Sequence, residues 1–541
     1  MYLKNSLIII NEFFYYSKNQ IRKLYLKSSL YNKKISKIEI SNLTYRPSLS
    51  ILSCLFKYNK KKLKIEELDK DNIWENKSLN RNNFAKLNNF FWLFGIDLKS
   101  SPNITQSIVD KWISKNKNYN TLSWQIDVLS KRVISWIANS KLTYDDGSVK
   151  YKKIFNSSVN KQVNHLINEI SKSNSVDDKL LGCVAILITG LSYQNEKFLN
   201  YSLELLKKIV NNSFDDEYFP KTRSIRQLNF YLKYFVLVRE LLKESLHEIP
   251  EYLDEIIFYL GKSYAIFSNF SQSLLFNGNH EGDLQEFNKY LALYKYKFEN
   301  SNNEVGGYVI LKNKNSALAM DVGHSPSKSF SNNYQSGALS FEFFYKEKKL
   351  ISNSGYFQDY KNKLNLISKS SAAHSTLVID NHSSCSFKNN SEIKILENGV
   401  KINDKDIVNE KNYWLIKASH NGFLKKFGII HERCLEYFTD KNELIGVDKL
   451  ILKKDFKSRK FDVRFHMVPG IKLTKTLDNK TILIEIENSG WRFSSNCEII
   501  NIESGIYFGI KNQSRENQNI CISGEIEDIN QEIKWEFKKI R

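Results

Sequence analysis

The hydrophobic period of this chain switches once, near Gly306 and Gly307, and that switch limits the folds open to it. From about residue 83 to 299 the apolar spacing is helical. In SWQIDVLSKRVISWIANSKL (123–142), Leu129, Val133, Trp136 and Ile137 share one face, while Lys131, Arg132 and Ser135 lie elsewhere. Similar stretches recur at 104–115, 151–171, 177–193, 196–210, 226–243 and 250–276, joined by short polar links. After the glycine pair the period is two: Phe461, Val463, Phe465 and Met467 alternate with Asp462, Arg464 and His466. Ile482, Ile484 and Ile486 alternate likewise with Leu483, Glu485 and Glu487. The expectation is a multi-domain α-then-β chain: an N-terminal cap or extension over 1–80, a helical domain over 81–300 and a large antiparallel β-sandwich over 301–541. The first segment mixes an amphipathic, basic helix at 3–24 with a strand-like SLSILSCLFKY at 48–58.

Charge narrows the partners. With 80 Lys and Arg against 59 Asp and Glu the net charge is +21, which favours a polyanion, although part of the excess reflects a composition crowded with Lys, Asn and Ile. No recognised nucleic-acid module or interleaved basic–aromatic motif accompanies the charge, so nucleic acid is not the expected partner. The six cysteines are scattered without a C-x-x-C pair, which argues against a zinc ribbon or a disulfide framework. No run of about 18 apolar residues marks a membrane span. The apolar run at 7–10 is interrupted by Asn11 and Glu12 with no small-residue cleavage site after it, so a signal peptide is not expected.

Among the nine histidines, His374 stands out in SSAAHST, where small neighbours leave room for a ligand beside an imidazole that titrates near neutral pH. A hydrogen-bonded structural histidine is the competing reading. His420 and His431 flank a predicted hairpin and, with Arg433, make either a polar patch or a solvated sheet face. No H-E-x-x-H, phosphate-binding glycine loop, G-x-S-x-G elbow or dinucleotide fingerprint occurs.

Motifs in a fixed order then point to a family. The helical part carries NFFWLFGIDL (89–98), SWQIDVLSKRVISW (123–136), FPKTRSIRQL (219–228) and LLFNGNHEGD (274–283). The sheet part carries GALSFEFF (337–344), LISNSGYF (350–357), SSAAHSTLVID (370–380), ASHNGF (418–423), HERCLEYF (431–438), VRFHMVPG (463–470) and SGWRF (489–493). As a set they resemble the heparinase II/III-like family of bacterial polysaccharide lyases, in a branch whose substrates are poorly defined. The resemblance implies an incomplete (α/α) toroid followed by a large antiparallel β-sandwich. It also implies a carbon–oxygen lyase that cleaves a uronate-containing, glycosaminoglycan-like polysaccharide by β-elimination.

That chemistry needs a group to neutralise the uronate carboxylate, a base for the C5 proton and an acid for the departing oxygen. The resemblance nominates His374 or Tyr334 as base, Arg223 as neutraliser and Asn277 as a positioning amide. Trp124, Arg132, Asp178, Tyr356, His420 and Arg433 are substrate-binding candidates, with core packing the alternative for Trp124 and Tyr356. Several expected residues are replaced. The family's Asn-His pair on a mid-toroid helix becomes Asp178-Lys179, a tyrosine becomes Gln227, and a histidine-rich run becomes Asn333-Tyr334-Gln335. Gln335 and Asn353 stand where metal-bearing relatives carry ligands and only His374 persists, so neither a structural zinc nor another cofactor is expected. The alternative function is therefore a catalytically altered, acidic-glycan-binding or glycan-processing protein of the cell envelope. The family points to the periplasm, the N-terminus leaves the cytoplasm open, and nothing in the sequence sets an oligomeric state.

Overall fold

The computed structural model describes all residues except 1–16, 38–41, 56–73, 75–79, 97–100, 283, 391–392, 454–457 and 488. Two compact units result: residues 1–212 with 231–257, and residues 213–230 with 258–541.

The first unit is helical. Pro102–Lys115 opens with proline in its first turn, where a missing N–H costs nothing, and Val149–Glu169 is capped by the Ser148 side chain. Ile126–Ala138 packs on Val176–Ser192, which is buried almost throughout. Its core is aromatic: Phe90, Trp112 and Trp136 meet edge to face at 5.3–6.0 Å between ring centroids. The stretch 48–58 is not a strand where described. Ser48 accepts from the Ile51 amide and starts a short helix, Leu49–Leu52, continued by a 3₁₀ turn, Ser53–Leu55. A local cap has overridden an apolar, strand-like composition. The basic N-terminal helix is described only from residue 17 and runs to 27. Part of the 89–98 motif lies outside the described residues.

The second unit is built on antiparallel sheets. Glu304–Val305, Tyr308–Lys312, Ser316–Asp321, Phe341–Tyr345 and Lys348–Ile351 form a five-stranded meander in chain order. An eight-stranded sheet centres on Ile429–Phe438, Glu443–Leu452 and Asn530–Lys539, and a four-stranded sheet pairs Lys460–His466 with Arg515–Glu525 and Leu377–Ile379. Alternation does what the period of two promises. Ile429–Phe438 buries every second side chain, and Phe461, Val463 and Phe465 point into the core beside Trp535 and Phe537. The apolar stretch 250–276 is not one helix: Glu251–Ser268 ends at the first residue of SNFSQS (268–273), where Ser and Asn side chains compete for backbone groups. Residues 274–279 are thereby free to form the turn used by the site.

Candidate functional site

Every residue of the candidate site described first belongs to the second unit. Arg223 and Asn277 are non-glycine residues held at positive φ, 57° and 40°. Both aim at Asp321, the last residue of Ser316–Asp321. Arg223 reaches Oδ1 at 2.6 Å and Asn277 Nδ2 reaches Oδ2 at 3.1 Å; Asn277 also donates to the Tyr308 hydroxyl at 2.6 Å. The remaining Arg223 donors go to the carbonyls of Gly306, Gly307, Gly323 and His324 at 3.1–3.3 Å. Glycine is required at 323, where a Cβ would lie 2.3 Å from the guanidinium. Burial disfavours the Arg223 charge, but the adjacent Asp321 carboxylate outweighs it and holds the guanidinium above its usual range. Such a pair costs desolvation and persists because every donor is satisfied. Arg223 is therefore a fastener of the chain, with its donors committed to protein acceptors.

The turn after Asn277 leads to the second part of the site. The Gly278 amide donates to Gln335 Oε1 at 2.9 Å, while Gln335 Nε2 donates to the carbonyls of Gly355 and Ser368. Gly278 has φ 81°, and a Cβ there would lie 3.0 Å from Asn333 Cβ. Half-buried Asn333 accepts from the Tyr356 hydroxyl at 3.3 Å, and Asn365 Nδ2 donates to the same hydroxyl at 3.1 Å. Burial pushes the Tyr356 phenol up to about 12, against the opposing influence of Asn365 and of the Arg226 charge. Half-buried His280 sits beside this group, its Nδ1 3.4 Å from Gln358 Nε2. Tyr356 was a sequence candidate. Asn365, Arg226 and His280 were missed as members of the cluster; Arg226 and His280 stand inside the FPKTRSIRQL and LLFNGNHEGD motifs, while Asn365 lies outside every motif and carries no such signal.

His374 is 1% exposed. Its Nδ1 donates to the Ser370 carbonyl at 2.8 Å, so Nε2 carries the lone pair, buried without a hydrogen-bond partner. A Cβ at Gly337 would stand 3.2 Å from that nitrogen. Burial pushes the imidazole down to about 4, so it is neutral at pH 7. Asn353 is engaged on both sides, accepting from the Ser375 amide at 3.0 Å and donating to Glu342 at 3.2 Å. With Gln335 turning its N–H groups to two carbonyls and Asn353 so committed, these positions do not present the donor set of a zinc ion. Tyr334 is likewise enclosed, its hydroxyl accepting from Ser325 at 3.0 Å, and burial raises its phenol well above the ordinary value.

His420 and Arg433 do come together with His431, but inside the unit. The Gly422 amide donates to His420 Nδ1 at 3.0 Å, so His420 Nε2 donates to His431 Nδ1 at 3.1 Å and His431 Nε2 donates to Asp448 at 2.6 Å. Arg433 grips Asp448 through Nε at 2.7 Å and Nη2 at 3.0 Å, and its Nη1 holds the carbonyls of Leu339 and Ser375. Both side chains are buried, and Arg433 is completely enclosed. They hold the strand start beside His374; they are not a solvated face.

The first unit contains the other three candidates. Arg132 is wholly buried over the Trp112 ring at 4.0 Å and donates to Gln162, Asn88 and Ser123. Trp124 is 3% exposed and meets His165 edge to face, which leaves no open ring surface for a sugar. Asp178 lies in the first turn of Val176–Ser192, its amide donating to the Ser175 cap. Burial, and then Asp127 and Asp177, push its carboxyl up to about 7.

Residues 300–536 match the family model described as heparinase II/III-like, C-terminal. The fold is similar to that of heparinase III, with a TM-score of 0.68 and 14% identity over 93% of this chain and 88% of the other. It is also similar to a heparan sulfate lyase from Pedobacter heparinus, with a TM-score of 0.64 and 13% identity over 94% of this chain and 87% of that one. Comparison of the sequence with curated proteins gives no match. Segment 300–536 thus matches the heparinase II/III-like, C-terminal family model, and the chain has the fold of heparinase III, a helical region followed by antiparallel β-sheets.

Proposed function

We propose that this protein is a polysaccharide lyase that cleaves a uronate-containing acidic polysaccharide by β-elimination, with its reacting groups around Tyr356. The observation that carries the reading is the Tyr356 hydroxyl, set between the Asn365 amide and Asn333 and close enough to Arg226 to feel its charge. In β-elimination the C5–H bond breaks, its electrons form the C4=C5 double bond, and the C4–O bond breaks to release an alkoxide that takes a proton. A phenol pushed up to about 12 retains its hydrogen at neutral pH and suits that last step. The half-buried imidazole of His280 is the proposed base, and Arg226 with the Asn333 amide the proposed partners of the uronate carboxylate. Arg223, Asn277, Tyr334 and His374 are assigned to holding this arrangement in place. The net charge of +21 supports an acidic glycan as partner, as do the heparinase III and heparan sulfate lyase named among the similar structures.

A second reading is a glycan-binding protein without elimination. It is favoured by Asn333, an amide that transfers no proton, where the resemblance places a histidine-rich run. The discriminating measurement is ultraviolet absorbance of the unsaturated uronate product across a panel of acidic polysaccharides. Product from any of them supports the lyase; binding without product from every one sinks it and leaves the second reading.

A further inference from the structure

The helix at residues 17–27 has an inverted surface. Leu26 is its buried residue, at 6% exposure. Leu24 and Ile21 lie two and five positions earlier, roughly 200° and 140° around the axis, and so occupy the outward pole where a surface helix ordinarily places charge. They are 71% and 67% exposed, Tyr25 beside them is 44% exposed, and Leu30 at the start of the next helix is 72% exposed. Lysines flank this ridge: Lys18, Lys23 and Lys27 are exposed, as are Lys33, Lys34 and Lys37 beyond it. Residues 17–37 contain seven Lys or Arg and no Asp or Glu. The neighbouring helix Val149–Glu169 adds Lys161, whose Nζ meets Asn32 at 3.2 Å. Its Glu169 is already paired, with Arg22 and with Lys172.

We infer that this face docks on the surface of a bilayer containing anionic lipid, with Ile21, Leu24 and Leu30 entering the headgroup–acyl boundary and the lysines contacting lipid phosphates. An acidic polysaccharide would use the lysines but gains nothing from three exposed aliphatic side chains. A bilayer surface uses both, and that combination marks helices lying in the membrane plane. The attachment is peripheral, since among the described residues no helix is long and apolar enough to cross a membrane. The inference does not depend on the lyase reading.

The test is sedimentation of the full chain with vesicles of phosphatidylglycerol and phosphatidylcholine, against vesicles of phosphatidylcholine alone. Binding to the mixed vesicles is expected, weakened by salt and by removal of phosphatidylglycerol. The combined substitution Ile21→Ser, Leu24→Ser and Leu30→Ser is expected to lower the partition coefficient about tenfold or more, with an unchanged melting temperature. A second variant, Lys18→Glu with Lys23→Glu and Lys27→Glu, is expected to lose the phosphatidylglycerol dependence. No sedimentation of the wild-type chain with mixed vesicles overturns the proposal. So does a triple-serine variant that sediments as well as wild type; if heparin then displaces it, the face is a polyanion surface instead.

Discussion

Tyr356 and Asp321 are single side chains on which separate properties rest. Replacing Tyr356 with phenylalanine removes the hydroxyl between Asn333 and Asn365 and leaves the ring. We expect the rate of unsaturated product formation to fall by about 10²–10⁴, the usual weight of a proton-transfer group, with the melting temperature nearly unchanged. Asp321→Asn should act in the opposite manner. It strips the counter-charge from Arg223, and chemical denaturation should show a loss of about 3–5 kcal/mol, as expected for an orphaned buried charge. Arg223, Asn277 and Tyr356 were visible in the sequence because they sit in motifs. Asp321 was not, since its partner lies 98 positions earlier and a carboxylate at a strand end looks like any solvated turn residue. The same distance problem hid Arg433: HERC reads as an outward hairpin, whereas its partner Asp448 is on the adjacent strand, facing inward.

Helices and strands were more legible than their ends. The alternation of Phe461–Phe465 and the helical face of Leu129–Ile137 are local patterns, and local patterns survive folding. Failures came where a capping side chain acts against composition, at Ser48, and where a serine-rich stretch stops a helix, after Ser268. Two predictions belong at this scale. In Glu443–Leu452, Gly446 faces Trp535 across the strand pair, and a Cβ there would lie 2.0 Å from the indole ring. Gly446→Ala should cost about 1–3 kcal/mol, the usual price of overpacking, measured as a shift in the denaturation midpoint at constant m-value. At the start of Val176–Ser192, the Asp178 carboxyl pushed up to about 7 binds its proton in the folded state where the unfolded chain, near 3.8, has released it. Stability from this group is therefore lost as pH rises from about 4 through about 7. Asp178→Asn should raise the melting temperature at pH 8 relative to wild type, and the gain should vanish at pH 4.

At the scale of the molecule, buried histidines contribute to the acid response. Burial pushes His374 and His165 down to about 4, and His466 to about 3, the last with His374 and Arg464 adding to the effect. Between those values and 6.5 the unfolded chain binds protons that the folded chain does not, so stability falls as pH drops from about 7 to about 4. For His374 alone the loss is about 3 kcal/mol, from a shift of roughly 2.5 pH units. Asp448 adds to it at lower pH: burial opposes its charge, but Arg433 and His431 hold it well below the ordinary range, and its contribution disappears only as that low pKa is crossed. Unfolding followed at pH 7, 5.5 and 4 should show the decline; a flat profile would show that these imidazoles are solvated. The Arg223–Asp321 pair has a further consequence, for inheritance. Residues 213–230 belong with the sheet unit, so a gene fragment beginning at residue 300 encodes Asp321 without its cation and loses the Asn277 turn as well. A recombination event that moved only residues 300–541 to another gene would deliver an incomplete core, so residues 213–230 and 258–541 must be inherited together.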